Sequence, residues 1–476
     1  MNTNMKTRPN IILILMDDMG WRDIGCAGST FYETPNLDRL ASQGMMFTQA
    51  CAACPVCSPT RASLLTGKYP ARLGVTDWID HGNFHPCRGA VIDAPYVKQL
   101  SLSERSLARS LKEDGGYATW HVGKWHLGQE PHWPEHHGFD VNIGGCEMGS
   151  PWRHGYFSPW KIPTLSDDTP GEYLPDRLTD EALRLIDNRD PSKPFFLNFW
   201  DYCVHTPIQA KPEKIEKYRR KAAALGLDPE AALVEGELFQ CEHKRNQRVR
   251  RRVVQSDPAY AAMIESVDEN IGRLLAKLDE HGIADNTLVI FTSDNGGLST
   301  SESSPTCNLP LSEGKGWMYE GGTREPLLVR LPGVIAPGST CGTPVTSPDF
   351  YPTLLEIAGL ALRPEQHMDG VSFLPLLKGE TAFQRGAMFW HYPHYGNQGG
   401  TPGSSVRDGD WKLIEFFVDN RLELYNLRDD PGETRNLAAV HPETAARLHA
   451  LLKNWRVEVC AKIPEQNPAW KQEHRL

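Results

Sequence analysis

"NIILILMDD", residues 10–18, sets six consecutive apolar side chains directly before two aspartates. Six residues are far short of the roughly 20 a membrane helix needs. With no polar alternation, the run reads as a strand covered on both faces, as in a parallel sheet. Similar runs recur at "YATWHV" (117–122), "PFFLNFW" (194–200) and "TLVIFTSD" (287–294). Between them, "TPNLDRLASQG" (34–44), "SLSERSLARSLKEDG" (101–115) and "AYAAMIESVDENIGRLLAKLDEHG" (259–282) space apolar residues three or four apart, the helical period. Strands alternating with helices predict an α/β fold whose large, mostly parallel sheet lies between helical layers. In such sheets ligands gather beyond the carboxyl ends of the strands. Asp17 and Asp18 end one strand, and Asp294 and Asn295 end another, so all four are candidates for one rim.

Beyond about residue 383 the pattern changes. "AMFWHY", "SSVRDGDWKLIEFFV" and "RLELYNL" are short, alternating and joined by Gly and Asp turns, which predicts a small antiparallel sheet. "PETAARLHALLKNWRVEV" (442–459) reads as a helix packed on it. The expected organisation is a catalytic α/β unit over 1–383 and a smaller C-terminal unit over 384–476, within reach of a chain of 476 residues. The charged segment 211–256, ending in "HKRNQRVRRR", reads as an exposed helical insertion.

A net charge of −10 excludes general affinity for nucleic acid. Eleven cysteines are too dilute for a disulfide scaffold, and the odd number leaves one unpaired, which favours a reducing compartment. Lys6 and Arg8 precede an apolar run too short for a secretory leader. The expectation is a cytoplasmic protein without a membrane span, or a periplasmic or secreted one if a leader has been removed.

"CAACPVCSPTR" (51–61) raises a separate question, because Cys51, Cys54 and Cys57 are evenly spaced. The run lacks the fourth cysteine of a ferredoxin pattern, and a zinc site would need a distant ligand. What sets Cys57 apart is the sequence after it. Pro59 can open a helix whose first turn leaves amides unpaired, and Arg61 adds a fork of donors suited to a tetrahedral oxyanion.

The run Cys57-Ser58-Pro59-Thr60-Arg61, continuing "ASLLTG", resembles the signature of type I sulfatases, whose motif cysteine becomes formylglycine. "GYATWHVGKWHLG" (116–128) resembles that family's second signature, and "MDDMGW", "VHTP", "SDNGG" and "GKGWMYEGGTREP" extend the resemblance along nearly the whole chain. It implies an alkaline phosphatase-like fold. It also implies one divalent ion, usually calcium, held by Asp17, Asp18, Asp294, Asn295 and the group made from Cys57; all four side chains are hard oxygen donors. Lys124 is implied to bind sulfate and polarise the nucleophile, and His126 to move a proton of the formylglycine hydrate. His205 and Lys315 are implied to bind sulfate and serve the leaving group. If "GKWHLG" is extended, Lys124 and His126 point the same way.

The implied reaction is sulfate ester hydrolysis, in which a formylglycine gem-diol attacks sulfur and a sulfated enzyme then releases sulfate. It requires a formylglycine-generating maturation enzyme as partner. Overall arrangement resembles bacterial carbohydrate sulfatases acting on galactose or N-acetylgalactosamine residues of glycosaminoglycan-type glycans, with 4-O-sulfate ahead of 6-O-sulfate. His81, His391 and His394 lie in stretches rich in aromatic and polar residues and are candidate sugar contacts. Packing of the seam between the sheets is their other reading. Alternatives for the whole chain are an arylsulfatase, a phosphonate or phosphate ester hydrolase of the same superfamily, and an inactive binder of sulfated glycans.

Overall fold

In a computed structural model the apolar run at 10–16 is the centre of an eight-stranded sheet. The structure describes residues 8–82, 84–151, 154–381 and 383–470, and Lys6 lies outside them. In chain order the strands are β1 Asn10–Met16, β2 Met45–Phe47, β3 Ala118–Gly123, β4 Val141–Ile143, β5 Phe195–Trp200, β6 Thr287–Ser293, β7 Leu327–Arg330 and β8 Ser339–Cys341. Their order across the sheet is β8-β2-β7-β6-β1-β5-β3-β4. The run from β6 to β4 is parallel, while β7 pairs antiparallel with both β6 and β2.

Strand β1 shows why its sequence is continuously apolar. Ile12, Ile14 and Met16 enter the core under helices Pro35–Gln43, Leu174–Asp187 and Pro258–Glu280, whereas Ile11, Leu13 and Leu15 enter the core under Cys57–Thr66, Leu107–Gly115 and Phe350–Ile357. Successive side chains on a strand point to opposite faces, and here both faces are covered.

Four antiparallel strands, β9 Met388–Tyr392, β10 Gly403–Asp408, β11 Trp411–Phe416 and β12 Leu422–Asn426, form the second sheet. On one side Leu448, Leu452 and Trp455 of helix Pro442–Glu458 pack against Val406, Leu413 and Leu424. On the other, Trp390, Ile414 and Phe416 pack against Cys51, Cys54 and Val56. The C-terminal sheet therefore backs the segment that leads into Cys57, and Trp390 Nε1 donates to the Ala52 carbonyl at 2.7 Å. Cys51 and Cys54 are packing residues of this seam.

The segment 211–256 differs from the helical expectation. Pro212–Ala224 is an α-helix and Glu242–Lys244 a single 3-10 turn, but Leu233–Leu238 and Arg248–Arg252 form an antiparallel hairpin. Alternation in "LVEGEL" and "RVRRR" has the strand period, which the density of charge concealed. Arg251 pairs with Glu237 and Glu313, and Arg252 is buried, donating to Ser304 and Pro229 carbonyls. No helix among the described residues is long and apolar enough to cross a membrane.

Burial also makes β3 sensitive to acid. His121 lies fully buried beside Trp125, Phe139 and Trp200, with Nε2 donating to the Gly123 carbonyl and Nδ1 accepting from Asn198, each at 3.0 Å. Burial pushes its pKa down to about 3. The folded protein therefore keeps His121 neutral where the unfolded chain takes up a proton. That stability is complete above the unfolded pKa near 6.5 and is lost as pH falls towards 3, amounting to about 2 kcal/mol by pH 5. The thermal midpoint is expected to drop between pH 7 and pH 5, and by less in His121→Gln; equal drops would show that this imidazole does not set the acid limb.

Candidate active site

The register of the sheet assembles the rim. β1 and β6 pair from Asn10↔Thr287 to Met16↔Ser293, so the next residues, Asp17 and Asp294, emerge side by side. β3 and β5 pair through Gly123↔Trp200, and the Lys124 amide donates to the Trp200 carbonyl at 2.7 Å, which brings Lys124 to the same edge. Asp18 has φ +66°, a conformation uncommon outside glycine, and its amide donates to Asp294 Oδ1 at 3.2 Å. Asn295 Nδ2 donates to Asp18 Oδ1 at 2.9 Å.

Two acceptors at this rim, Asp17 Oδ1 and Asn295 Oδ1, are buried and make no hydrogen bond among the described residues. Burial pushes the Asp17 carboxyl well up, with Asp294 and Asp18 adding to the effect and Lys124 and Arg61 only partly offsetting it. Carboxylates and an amide oxygen of this kind are the donor set of a hard divalent cation such as calcium. Asp17, Asp18, Asp294 and Asn295 fit such an ion, with Cys57 Sγ inside 4.8 Å of carboxylate oxygens of Asp17 and Asp294.

Helix Cys57–Thr66 starts at Cys57 itself, with Val56 as its extended N-cap, so Pro59 stands at the third position and does not open the helix. All ten residues are buried. Arg61 is not a free clamp for an oxyanion: Nε and Nη2 donate to Asp294 Oδ2 at 2.9 and 2.7 Å, and Nη1 donates to the Lys124 carbonyl at 3.1 Å. It holds a metal-type ligand and the Lys124 backbone together, and its guanidinium lies 5.2 Å from the Trp200 ring centroid. The remaining cations divide the aspartates between them. Lys124 Nζ donates to Asp17 Oδ2 at 2.7 Å; Lys315 Nζ donates to Asp18 Oδ2 at 2.8 Å, with His205 Nε2 3.6 Å from that same oxygen. Burial works against the charge on Asp18, but Lys315 and His205 bring its pKa below the ordinary carboxylate range. Burial, reinforced by Lys315, takes His205 down to about 3.

His126 reaches Cys57 by a different backbone route from a strand. Its φ is +58°, so "KWH" is not extended, and Trp125 between the two polar residues turns into the core. The ring bridges the site: Nδ1 is 3.4 Å from Cys57 Sγ, and Nε2 is 2.9 Å from the Ile79 carbonyl. A carbonyl only accepts, so the proton sits on Nε2 and Nδ1 presents its lone pair to residue 57. The Ile79 amide in turn donates to Ser58 Oγ at 3.1 Å. Ile79 is a functional position that sequence reasoning missed, because a backbone carbonyl leaves no mark in residue type. A Cβ on Gly149 would stand 2.6 Å from His126 Cε1. Gly149→Ala is expected to displace the ring and lower kcat on the order of 10²-fold with little change in KM; steady-state kinetics with unchanged kcat would remove His126 placement from the rate.

The three candidate sugar contacts separate. His391 is buried, with Nδ1 2.6 Å from Ser404 Oγ and Nε2 2.9 Å from the Lys462 carbonyl, and both nitrogens are engaged. His394 is fully buried, with Nε2 2.9 Å from Thr76 Oγ1. His391 packs inside the C-terminal unit, and His394 packs where that unit meets Thr76 and Tyr96, which corrects their reading as sugar contacts. His81 is exposed, two residues beyond Ile79.

The chain matches the family model described as Sulfatase over residues 9–360. It belongs to the sulfatase family. A second model, described as N-sulphoglucosamine sulphohydrolase, C-terminal, matches residues 314–458 of this sulfatase. A sulfatase of Formosa agariphila is 33% identical over 531 residues, covering 95% of this chain and 89% of that protein. N-acetylgalactosamine-6-sulfatase of Homo sapiens is 31% identical over 509 residues, covering 96% and 88%. The crystal structure of Ps i-CgsB has a TM-score of 0.75 at 28% identity, covering 98% of this chain and 95% of that one. The fold is that of the alkaline phosphatase-like superfamily, and the protein is a sulfuric ester hydrolase. Its family uses a formylglycine residue and a divalent metal.

Proposed function

We propose that this sulfatase removes O-sulfate from galactose or N-acetylgalactosamine residues of a sulfated glycan, acting at the 6-position, after a maturation enzyme has converted Cys57 to formylglycine. The observation that carries the reading is the meeting of distant segments at one side chain: Cys57 Sγ lies 3.4 Å from His126 Nδ1 and within 4.8 Å of Asp17 and Asp294 oxygens. Similarity to N-acetylgalactosamine-6-sulfatase over most of both chains supports the sugar and moves the preferred position from 4-O to 6-O.

A calcium ion held by Asp17, Asp18, Asp294 and Asn295, with the hydrated aldehyde at position 57, would supply an oxygen nucleophile and offset the negative charge of the ester. The chain's own groups do the rest. Lys124 and Lys315 set two ammonium groups on Asp17 and Asp18 of the rim, where a sulfate group needs cationic partners. His126 Nδ1 is the proton acceptor facing position 57, held in that tautomer by Ile79. His205 Nδ1 donates to the Thr206 carbonyl at 2.8 Å, so the neutral ring presents a bare Nε2 towards Asp18, and Lys315 Nζ on that same oxygen is the proton-bearing group able to serve a leaving oxygen.

The test is sulfate release from the 6-sulfates and 4-sulfates of galactose and N-acetylgalactosamine, with the matching phosphate esters in parallel. The 6-sulfates should give the highest kcat/KM. A higher value on the 4-sulfates would overturn the position, on the phosphates the ester class, and no release from any sulfate the sugar assignment.

A further inference from the structure

A second set of ligand-type side chains converges where residues 76–93 pack against the C-terminal sheet. His85 Nδ1 is 3.2 Å from Asp93 Oδ2 and 4.0 Å from Cys87 Sγ, and the three ligand atoms lie within 4.8 Å of one another. The group is nearly sealed, the His85 and Asp93 side chains being 4% and 1% exposed and Cys87 4%. Behind the imidazole, His85 Nε2 is 3.3 Å from Asp77 Oδ2, and neither atom makes a hydrogen bond of good geometry among the described residues.

We infer that His85, Cys87 and Asp93 form a second metal site, for one divalent ion of the zinc class, built from residues other than those of the rim. A thiolate with an imidazole and a single carboxylate is a borderline-soft set that suits zinc and does not suit calcium, which takes six to eight oxygens. The spacing agrees. Tetrahedral zinc with ordinary bond lengths puts its nitrogen and oxygen ligands about 3.3 Å apart and its nitrogen and sulfur ligands about 3.6 Å apart. The observed separations, 3.2 and 4.0 Å, need only a small closing of the thiol. Three protein ligands leave one position for a solvent ligand.

The surroundings are those of a metal-binding histidine. A carboxylate behind the imidazole fixes its tautomer and raises its basicity, which is the place Asp77 occupies. Asp93 is held from the other side, with Oδ1 accepting from the Tyr395 amide at 3.0 Å and Oδ2 from the Cys87 amide at 2.7 Å. Without a metal the two carboxylates raise the pKa of His85 despite its burial, while burial pushes the Cys87 thiol up. Metal binding releases the thiol proton. The ion would pin the 77–93 loop to Tyr395, and that loop carries the Ile79 carbonyl on which His126 rests.

The test uses metal-depleted full-length Cys57→Ala protein, because Cys57 lies close to Asp17 and Asp294 and offers cobalt a competing thiol. Titration with Co²⁺ should give a near-ultraviolet thiolate-to-cobalt band saturating at one equivalent, released by Zn²⁺. The band should vanish on adding Cys87→Ser and persist on adding Cys54→Ser or Cys241→Ser. His85→Gln, which keeps the thiol, should weaken cobalt binding at least tenfold. Absence of the band in the Cys57→Ala protein overturns the site without any further variant, as does a band that survives Cys87→Ser or an affinity unchanged in His85→Gln.

Discussion

Sulfate release should fall on the order of 10⁴-fold or more in Cys57→Ala, with the thermal midpoint unchanged within a few degrees. The loss is large because no other nucleophile can take its place: among the described residues, Cys57 is the one that lies against both His126 Nδ1 and the Asp17 and Asp294 carboxylates. The midpoint holds because the substitution removes one atom at a helix start and leaves the Arg61–Asp294 and Lys124–Asp17 pairs intact. An unmodified thiol should serve no better than alanine. Burial raises the Cys57 pKa even with Lys124 and Lys315 nearby, so the side chain is held as the thiol, the weakly nucleophilic form. Cys57→Ser should also be inactive, because a serine hydroxyl lacks the second oxygen of an aldehyde hydrate. Peptide mass spectrometry closes the argument: activity must track the fraction of position 57 converted, and full activity with only unmodified cysteine would refute the formylglycine reading.

How much of this site the sequence disclosed depended on the kind of contact. β1 was legible because a strand covered on both faces must be apolar at every position, and the aspartates that end it stand out by contrast. That Asp17 lies beside Asp294 follows only from the register of β1 and β6, a pairing that no local pattern encodes. Arg61 shows the limit. Its chemistry as a fork of donors was readable, but its partner lies 233 residues away, and that partner turns it from a substrate clamp into a positioning residue. His391 and His394 failed for a related reason. Histidine among aromatic residues has the composition of a sugar platform, yet the second sheet is covered on both sides here, so the same composition becomes interior packing. His85 and Cys87 carried no signal until the fold brought Asp93 and Asp77 to them.

Lys412→Met is expected to lower stability by about 3–5 kcal/mol, the size usual for removing one partner of a buried ion pair. Lys412 Nζ lies 2.9 Å from both Glu320 Oε1 and Glu433 Oε1, and all three side chains are essentially unexposed. Glu320 has two further cations, Arg324 and Arg407, which help hold its pKa below the usual range despite burial. Glu433 has no such reserve. Burial already takes it up to about 7, and Glu320 pushes in the same direction against Lys412. An acid whose folded pKa is raised gives most stability at low pH and loses it as pH rises past the unfolded value. Without Lys412 that loss deepens, so the drop in thermal midpoint should be larger at pH 8 than at pH 5; a deficit independent of pH would show that Glu433 is not the group left stranded. The effect reaches the active site by a short path. Glu320 lies five residues beyond Lys315, and its amide donates to Glu433 Oε2 at 2.6 Å, so the network fastens the Lys315 loop to β10 and β11. The folded variant should accordingly bind substrate more weakly, with KM rising more than kcat falls, because Lys315 keeps its chemistry and loses its fixed place.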